Sequence, residues 1–315
     1  MTEKNRNREA LLAVHSVDEF VFGVPDLGEA RHFYTSFGLD VREEGGAVAL
    51  YTFDQPHRWA RIVAADAKRL LWVTLGIRAQ DLQRFERRLA ERDVKRIAPP
   101  EGAGADGLWL EGPDALALQL RVAEKSSPSQ PSPREIPPES ANYGRSPSRS
   151  KAQATRPLYL SHLLLFSTDV DLARQFYEEV LGFKLSDKSG SVIAFMHSPH
   201  GSDHHLIALA KSDGLGLHHS SWCVPSIDAV GIGMQQMVQA GYPQGWGVGR
   251  HVLGSNYFRY VRDPWGSYAE YSYDIDFVAP GDEWPSADHP GEDSLYVWGP
   301  ELPGDFIFNH EVASH

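Results

Sequence analysis

The sequence predicts an α+β fold of two domains, each built from paired β-α-β-β-β modules that form an open, cup-shaped (barrel-like) mixed sheet. Two observations support this prediction. Apolar strands and an amphipathic helix occupy residues 11–122, and the same order of elements returns after residue 157. Between them lies a segment too rich in serine, proline and charge to bury a core. The expected boundaries are 10–123 for the first domain, 124–156 for a surface linker, 157–277 for the second domain, and 278–315 for a tail packed on it.

Both halves begin with a strand that is followed by the same kind of helix. An aspartate, Asp26 or Asp169, stands where a helix N-cap is favoured, and an apolar i, i+3, i+4 face follows it. Gly38 and Gly182 then supply the stop signal that commonly ends a helix. A second helix is expected later in each half, over 79–92 and over 226–241.

The composition restricts the class of protein. A chain of 315 residues is long enough for two domains, and its net charge of -12 argues against nucleic acid or an anionic membrane as partner. The single cysteine, Cys223, excludes a disulfide framework and fits a reducing compartment. The sequence has neither an apolar run near the roughly 18 residues of a membrane span nor the core of a signal peptide. The composition therefore predicts a cytoplasmic globular protein.

Three predicted strands of the second half each carry one chemically distinctive residue. These residues are His162, His219 and Glu270. Two neutral imidazoles and one carboxylate occupy one face of an octahedral metal ion and leave the other positions open, as in non-heme Fe(II) oxygenases. A lone histidine on an apolar strand is more often a hydrogen-bonded core residue, so the prediction depends on all three residues converging.

The first half lacks this set at the matching positions. Glu19 stands where His162 is expected, Gln119 stands where Glu270 is expected, and the strand over 70–74 has no histidine. The sequence therefore predicts a metal site in the second domain alone.

Neighbouring histidines on a strand are expected to point to opposite faces, which applies to His218 and His219. His218, together with His197 and His200, is accordingly expected at the surface or on the second face of its strand.

The organisation over about residues 10 to 277 resembles that of the vicinal-oxygen-chelate superfamily. Within that superfamily, the second half resembles the type I extradiol ring-cleavage dioxygenases, which act on catechols. Four stretches carry the resemblance: Ser161-His162, Asp203-His204-His205, Leu217-His218-His219, and the segment over 249–270 that ends in Tyr268-Ala269-Glu270.

The resemblance implies a role for six residues. The ligands of Fe(II), with Mn(II) as an alternative ion, would be His162, His219 and Glu270. The catalytic acid–base and hydrogen-bonding residues would be His205, His251 and Tyr260. His204 is the rival of His205, because neighbours on a strand face opposite sides.

The implied activity is the Fe(II)- and O2-dependent meta-cleavage of a catechol-type diol in the degradation of aromatic compounds. A substituted catechol, biphenyl-2,3-diol and a trihydroxytoluene all stay open as substrates, and a homo-oligomer is expected. Two alternatives are a glyoxalase-like metal-dependent isomerase and a non-catalytic ligand-binding protein of the same fold. The acid–base residues argue against the second, because binding alone does not need them.

Overall fold

The structure, a computed structural model, describes residues 11–53, 55–133 and 146–312. The strands of the first half are β1 (Ser16–Val24), β2 (Asp40–Glu44), β3 (Ala47–Tyr51), β4 (Arg58–Ala64), β5 (Arg69–Ile77), β6 (Leu108–Glu111) and β7 (Ala117–Val122). Those of the second half are β8 (Tyr159–Ser167), β9 (Lys184–Ser189), β10 (Ile193–His197), β11 (Ser202–Asp203), β12 (Ile207–Lys211), β13 (Gly216–Cys223), β14 (Gly245–His251), β15 (Tyr257–Arg262), β16 (Tyr268–Tyr273), β17 (Phe277–Val278), β18 (Ala287–Asp288) and β19 (Tyr296–Trp298).

The α-helices are α1 (Leu27–Phe37), α2 (Leu82–Glu91), α3 (Val170–Glu179) and α4 (Ile227–Gln239). Short 3-10 turns cover Ala79–Asp81, Pro113–Ala115, Arg149–Lys151 and Gly291–Asp293. In the described part of the chain, no helix is long and apolar enough to cross a membrane.

Two open mixed sheets repeat the same strand order. The N-terminal sheet runs β2-β3-β4-β1-β5-β7-β6, and the C-terminal sheet contains the matching run β9-β10-β12-β8-β13-β16-β15. The C-terminal sheet is extended by β18 at one edge and by β14 and β19 at the other. The predicted fold class, with paired modules and sheets that do not close, is confirmed.

The predicted signals begin and end the helices. Asp26 and Asp169 cap α1 and α3, each accepting a hydrogen bond of 2.9 Å from the backbone N–H three residues later. Gly38 ends α1 with φ at 98°, a left-handed conformation that costs glycine little. Each capped helix then packs its apolar face on the sheet beside it.

The largest apolar core is continuous between the two sheets. Phe37, at the end of α1, stacks on Tyr271 of β16 with ring centroids 3.9 Å apart, and the Tyr271 hydroxyl donates to the Phe37 carbonyl over 2.8 Å. The halves therefore bury apolar surface against each other as well as within themselves. The division into domains at the expected boundaries stays a prediction.

Both described ends of the expected linker are anchored to the protein. The backbone N–H of Ser127 donates to the Ser16 hydroxyl over 3.0 Å, and the Thr155 hydroxyl donates to the Ala229 carbonyl over 2.6 Å. Ser127 and Thr155 are buried, so the expectation of a surface linker is wrong at these two points. Their short hydroxyl side chains satisfy backbone groups inside the protein. The middle of the segment, 134–145, lies outside the described residues.

The last described stretch, residues 278–312, is called the C-terminal segment below. Its strands β18 and β19 pair with β9 and β14 and so widen the C-terminal sheet on both sides. Phe306 is buried against Tyr260 and Tyr268, with ring centroids 5.0 Å apart in each pair. The C-terminal segment therefore covers the same strands that carry the candidate site.

Candidate metal centre

Three neighbouring strands of the C-terminal sheet direct one ligand-type atom each to a common point. His162 lies on β8, His219 on β13 and Glu270 on β16. The two Nε2 atoms are 3.2 Å apart, and Glu270 Oε2 lies 3.3 Å from His162 Nε2 and 3.6 Å from His219 Nε2. Among the described residues, these three form the group whose donor atoms could hold a metal ion.

The environment of Glu270 fits a metal ion. Asn256 Nδ2 donates to Glu270 Oε1 over 3.2 Å, whereas Oε2 is buried without a hydrogen-bond partner. Burial alone would raise the pKa of this carboxyl, but its polar neighbours, His162 first among them, outweigh burial, so the pKa is lowered. Cis ligands of an octahedral ion at about 2.1 Å stand roughly 3 Å apart, close to the spacing found here. The unpaired oxygen is therefore available to bind a cation.

A hydrogen-bond chain fixes the proton of His219. Burial lowers the pKa of His218 to about 4, so this ring is neutral at pH 7. Its Nε2–H donates to the Phe306 carbonyl over 2.8 Å, which leaves Nδ1 as an acceptor 2.7 Å from His219 Nδ1. His219 therefore carries its proton on Nδ1 and presents the Nε2 lone pair to the metal position.

His162 is held in the same tautomer. Its Nδ1 lies 3.3 Å from the Ser161 hydroxyl, which donates to Asp203 Oδ2 over 2.6 Å. Since that hydroxyl already donates to the carboxyl, it accepts from His162 Nδ1–H. Nε2 of His162 is therefore free to bind a metal.

A β-bulge corrects the expectation that His218 faces away from His219. Between β13 and β8, Leu217 pairs with Leu165 and His219 pairs with Leu164, so His218 is the extra residue of a register shift. A bulge suspends the alternation of side chains, which lets the two rings meet. His197 and His200 were expected at the surface or on the second face, and because both are buried the surface alternative is wrong for them. His197 Nδ1 contacts the Ser186 hydroxyl at 2.7 Å, and His200 Nε2 donates to the Ala13 carbonyl over 3.1 Å.

His205 lies against the metal position. Its ring centroid is 3.9 Å from that of His162, and its Nδ1 lies 3.0 Å from Nδ1 of His204. Burial, followed by the neighbouring imidazoles, holds the pKa of His205 well below its usual range. Both histidines follow the end of β11, so strand alternation does not separate them, and His205 is the one that lines the cavity.

His251 and Tyr260 form a hydrogen-bonded pair beside Glu270. His251 Nδ1–H donates to the Leu295 carbonyl over 2.7 Å, so its Nε2 accepts the Tyr260 hydroxyl at 2.9 Å. His251 Nε2 also lies 3.8 Å from Glu270 Oε1. Burial lowers the pKa of His251, while burial and the Glu270 charge raise the pKa of Tyr260 well above its usual range. At neutral pH the pair is therefore an uncharged imidazole and an intact phenol.

These residues surround a cavity of about 100 Å³ with an apolar wall away from the metal position. Aliphatic and aromatic side chains form that wall, including those of Leu164, Ile193, Phe195, Leu302, Phe306 and Ile307. Among the described residues, no lysine or arginine lines this cavity. The site therefore joins a candidate metal-binding end to an apolar pocket that the described lysines and arginines do not line.

The structure brings all six residues from the sequence prediction together around this cavity. Sequence reasoning missed the residues that orient them: Asn256, His218, Leu295 and Phe306. The two His-His pairs were a usable signal, because one ring of each pair contacts the ring that reaches the site.

The site lies within the region that matches a known family. The Glyoxalase/Bleomycin resistance protein/Dioxygenase superfamily matches residues 159–271. Over 300 residues the chain is 44% identical to metapyrocatechase 2 of Cupriavidus necator. The aligned region covers 95% of this chain and 93% of that relative. The chain belongs to the extradiol ring-cleavage dioxygenases. This resolves the alternatives in favour of an oxidoreductase that incorporates both atoms of O2, within the vicinal-oxygen-chelate superfamily.

Solved structures resemble this dioxygenase in fold. A Mn(II)-bound glyoxalase from Novosphingobium aromaticivorans has a TM-score of 0.73 at 23% identity and covers 92% of this chain and 93% of its own. A halotolerant catechol dioxygenase has a TM-score of 0.73 at 20% identity, with 93% and 97% covered. At these identities the likeness shows the fold alone, since one fold supports several activities.

Proposed function

We propose that this dioxygenase catalyses the Fe(II)- and O2-dependent meta-cleavage of a catechol-type ring in the degradation of aromatic compounds. The observation that carries the proposal is the convergence of three donor atoms, 3.2–3.6 Å apart, in a cavity that also exposes two imidazoles and a phenol. The relationship to metapyrocatechase 2 supports the same reaction class.

The proposed metal ligands are His162, His219 and Glu270, and all three line the cavity. The same donors suit Mn(II) as well as Fe(II). When bound, the metal orients the two substrate oxygens and O2, and it stabilises negative charge on them. Because Oε2 of Glu270 has no hydrogen-bond partner, this oxygen is available as a metal ligand.

His205 is the proposed general base and acid. With its proton on Nδ1, the Nε2 of the neutral ring accepts a proton from a catechol hydroxyl, and the electron pair stays on the substrate oxygen. The low pKa of this buried ring makes it a weak base, so it returns the proton readily in a later step.

Tyr260 and His251 are proposed to hold the substrate oxygens. The Tyr260 phenol is an O–H donor at neutral pH, and reorientation of this hydroxyl from His251 to the substrate forms a hydrogen bond in a site without bulk water. His251 stays fixed through the Leu295 carbonyl, so its Nε2 is available to accept from a substrate hydroxyl.

The cavity supports a monocyclic catechol whose substituent is small and uncharged. A cavity of roughly 150 Å³ accommodates benzene, so about 100 Å³ favours one ring over the two rings of a biphenyl. A carboxylate on the ring would lie against apolar side chains without a cationic partner, at a cost of several kcal/mol. Of the three substrates above, the substituted catechol is therefore preferred.

Anaerobic reconstitution with Fe(II) or Mn(II), followed by O2 and catechol, tests the activity. We expect a yellow ring-fission product with Fe(II) and stoichiometric uptake of O2. His219→Ala removes one ligand and should abolish both metal binding and colour. A metal-loaded protein that consumes no O2 with any catechol would overturn the proposal.

A catechol series tests the substrate preference. We expect kcat/KM to be similar for catechol and its methyl derivatives, and lower by about a hundredfold or more for a ring that carries a carboxylate. Faster turnover of biphenyl-2,3-diol than of methylcatechol would contradict the proposed single-ring site.

We also propose a homo-oligomer in the cytoplasm. Support for the oligomer comes from apolar side chains of the C-terminal segment, because Val297 is 64% exposed and Ile307 is 61% exposed. Light scattering after size exclusion measures the assembly, and a monomer at micromolar concentration would contradict it. Fractionation of cells that produce the protein tests the compartment.

A further inference from the structure

A row of three buried side chains leads from a carboxylate to the cavity. Asp187 Oδ2 lies 2.9 Å from Nε2 of His204, and Nδ1 of His204 lies 3.0 Å from Nδ1 of His205. The three residues are between 0% and 5% exposed. Asp187 comes from β9 and the histidines follow β11, so tertiary packing alone creates the row.

The end of the row fixes the direction of its hydrogen bonds. Burial opposes ionisation of Asp187, but hydrogen bonds from His204, His289, the Ala287 backbone and Trp284 outweigh it and lower its pKa to about 2. The carboxylate can therefore only accept, so His204 carries a proton on Nε2. With that proton on Nε2, Nδ1 of His204 is placed to accept from His205 Nδ1–H. Nε2 of His205 is left without a proton.

We propose that Asp187 and His204 are positioning residues that hold the proton of His205 on Nδ1 and keep its Nε2 as the acceptor for the substrate hydroxyl. The inference rests on the proposed function, in which His205 is the base. When Nε2 takes that proton, one O–H bond breaks and one N–H bond forms. The His205 imidazole is then positively charged. The Asp187 carboxylate stabilises this charge through the intervening His204.

The C-terminal segment holds the far end of the row. Asp187 accepts from His289 Nε2 over 2.8 Å, from the Ala287 backbone N–H over 3.0 Å and from Trp284 Nε1 over 3.1 Å. The Trp284 ring also packs edge-on against His204, with centroids 5.0 Å apart. These three donors restrict the orientation of the Asp187 carboxylate toward His204.

Steady-state kinetics on the metal-loaded enzyme test the inference. Residues that orient an active-site group typically contribute ten- to a hundredfold, so Asp187→Ala should lower kcat by about that factor with KM changed less than twofold. Asp187→Asn should lose less, because its amide oxygen still accepts from His204. His204→Asn keeps an acceptor near the δ position and should exceed His204→Leu in kcat.

Asp288→Asn is the matched control. Asp288 is the neighbouring acid of β18, where it pairs with Lys188 over 3.3 Å and has no contact with His204. We expect its kcat to equal that of the wild type. Metal content and melting temperature are measured for every variant, so that a loss through unfolding or metal release is separated from a loss in the bound complex. Unchanged kcat in folded, metal-loaded Asp187→Ala and His204→Leu would overturn the inference.

The tautomer is measured directly by nitrogen NMR of histidine-labelled protein loaded with diamagnetic Zn(II). His205→Asn assigns the resonances. We expect His205 to carry its proton on Nδ1 in the wild type and to become a mixture in Asp187→Ala. A proton on Nε2 in the wild type would contradict the inference. Full activity in His205→Ala would instead contradict the proposed function, which distinguishes the two failures.

Discussion

The two sheets share a strand order but differ at the positions where a metal could bind. In the N-terminal sheet, Glu19 pairs in register with Thr74, which pairs with Gln119. In the C-terminal sheet, His162 pairs with Ser221, which pairs with Glu270. The registers therefore match three positions: Glu19 with His162, Trp72 with His219, and Gln119 with Glu270.

The N-terminal sheet neutralises its buried acid from within. Glu19 accepts hydrogen bonds from Arg58 over 2.6 Å and from Arg61 over 2.9 Å. The Arg61 guanidinium also lies 5.3 Å from the centre of the Trp72 ring, which fills the place of the second imidazole. Gln119 accepts from the Thr74 hydroxyl over 2.8 Å. This half therefore has the same strand order, and guanidinium and hydroxyl groups contact its buried Glu19 and Gln119.

The C-terminal sheet leaves its acid incomplete. Glu270 accepts a hydrogen bond from Asn256 on one oxygen, whereas the other lies against Nε2 of His162 and His219 without a hydrogen bond, although the residue is fully buried. A buried carboxylate oxygen without a partner costs free energy unless a ligand supplies the missing interaction. Glu19 Oε2 also lacks a hydrogen bond, so the neighbours of the two acids make the difference. The comparison teaches that the repeated strands provide geometry, and that arginines surround the acid of the first copy whereas imidazoles surround that of the second.

Glu270→Gln places in the C-terminal sheet the residue type that the N-terminal sheet has at the matching position, Gln119. We expect this substitution to have the largest effect on activity. The neutral amide is a poor ligand, so the loss should exceed the typical hundredfold of an orienting residue and reach at least about a thousandfold in kcat/KM. Metal analysis and O2 uptake measure it. Glu19→Gln is the control: we expect full metal content and a lower free energy of unfolding, because two arginines lose their partner. Metal retained by Glu270→Gln would break the comparison.

His218→Leu tests the bulge, where the first copy has Leu71 at the matching position. Leucine removes the acceptor for His219 Nδ1–H and leaves the Phe306 carbonyl without its donor. Metal affinity, measured by competition with a chelator, should fall about ten- to a hundredfold. His200→Leu, an equally buried histidine away from the site, should leave the affinity unchanged. Equal losses in both variants would show that any buried histidine matters as much.

Asp203→Asn tests the pKa of a buried acid in the C-terminal half that has no arginine partner among the described residues. Burial, opposed by hydrogen bonds from Ser161 and Tyr159, raises the pKa of Asp203 to about 7, whereas the unfolded value is about 3.9. In the first copy, Asp18 accepts from Arg121 over 2.9 Å.

Because the folded state keeps this proton while the unfolded chain releases it, the free energy of unfolding falls as the pH rises from about 4 to about 7. Asp203→Asn lacks that fall and should gain about 1 kcal/mol relative to the wild type between pH 6 and pH 7. Urea unfolding at both pH values measures it. Parallel changes in the two proteins would contradict a raised pKa.

Residue periodicity was sufficient to predict the paired modules and the helix caps, because each depends on local pattern or on the repeat. The six site residues were predicted together because the resemblance to a known family added His205, His251 and Tyr260 to the three ligand-type residues. The partners of those residues escaped prediction for a physical reason. Leu295 and Phe306 act through backbone carbonyls, which every residue has.

The bulge at His218 and the contact of Asp187 with His204 also escaped prediction, because both depend on the tertiary structure. Strand alternation was the wrong rule in both histidine pairs, since one pair contains a bulge and the other follows a strand end.

The C-terminal segment has a consequence for biosynthesis. Ribosomes make a chain from its amino end, so Trp284, Leu295 and Phe306 emerge after every candidate metal ligand has been made. Until then His218 and His251 lack their carbonyl acceptors, and Asp187 lacks its tryptophan donor. A nascent chain therefore contains the candidate ligands before it contains the residues that orient them.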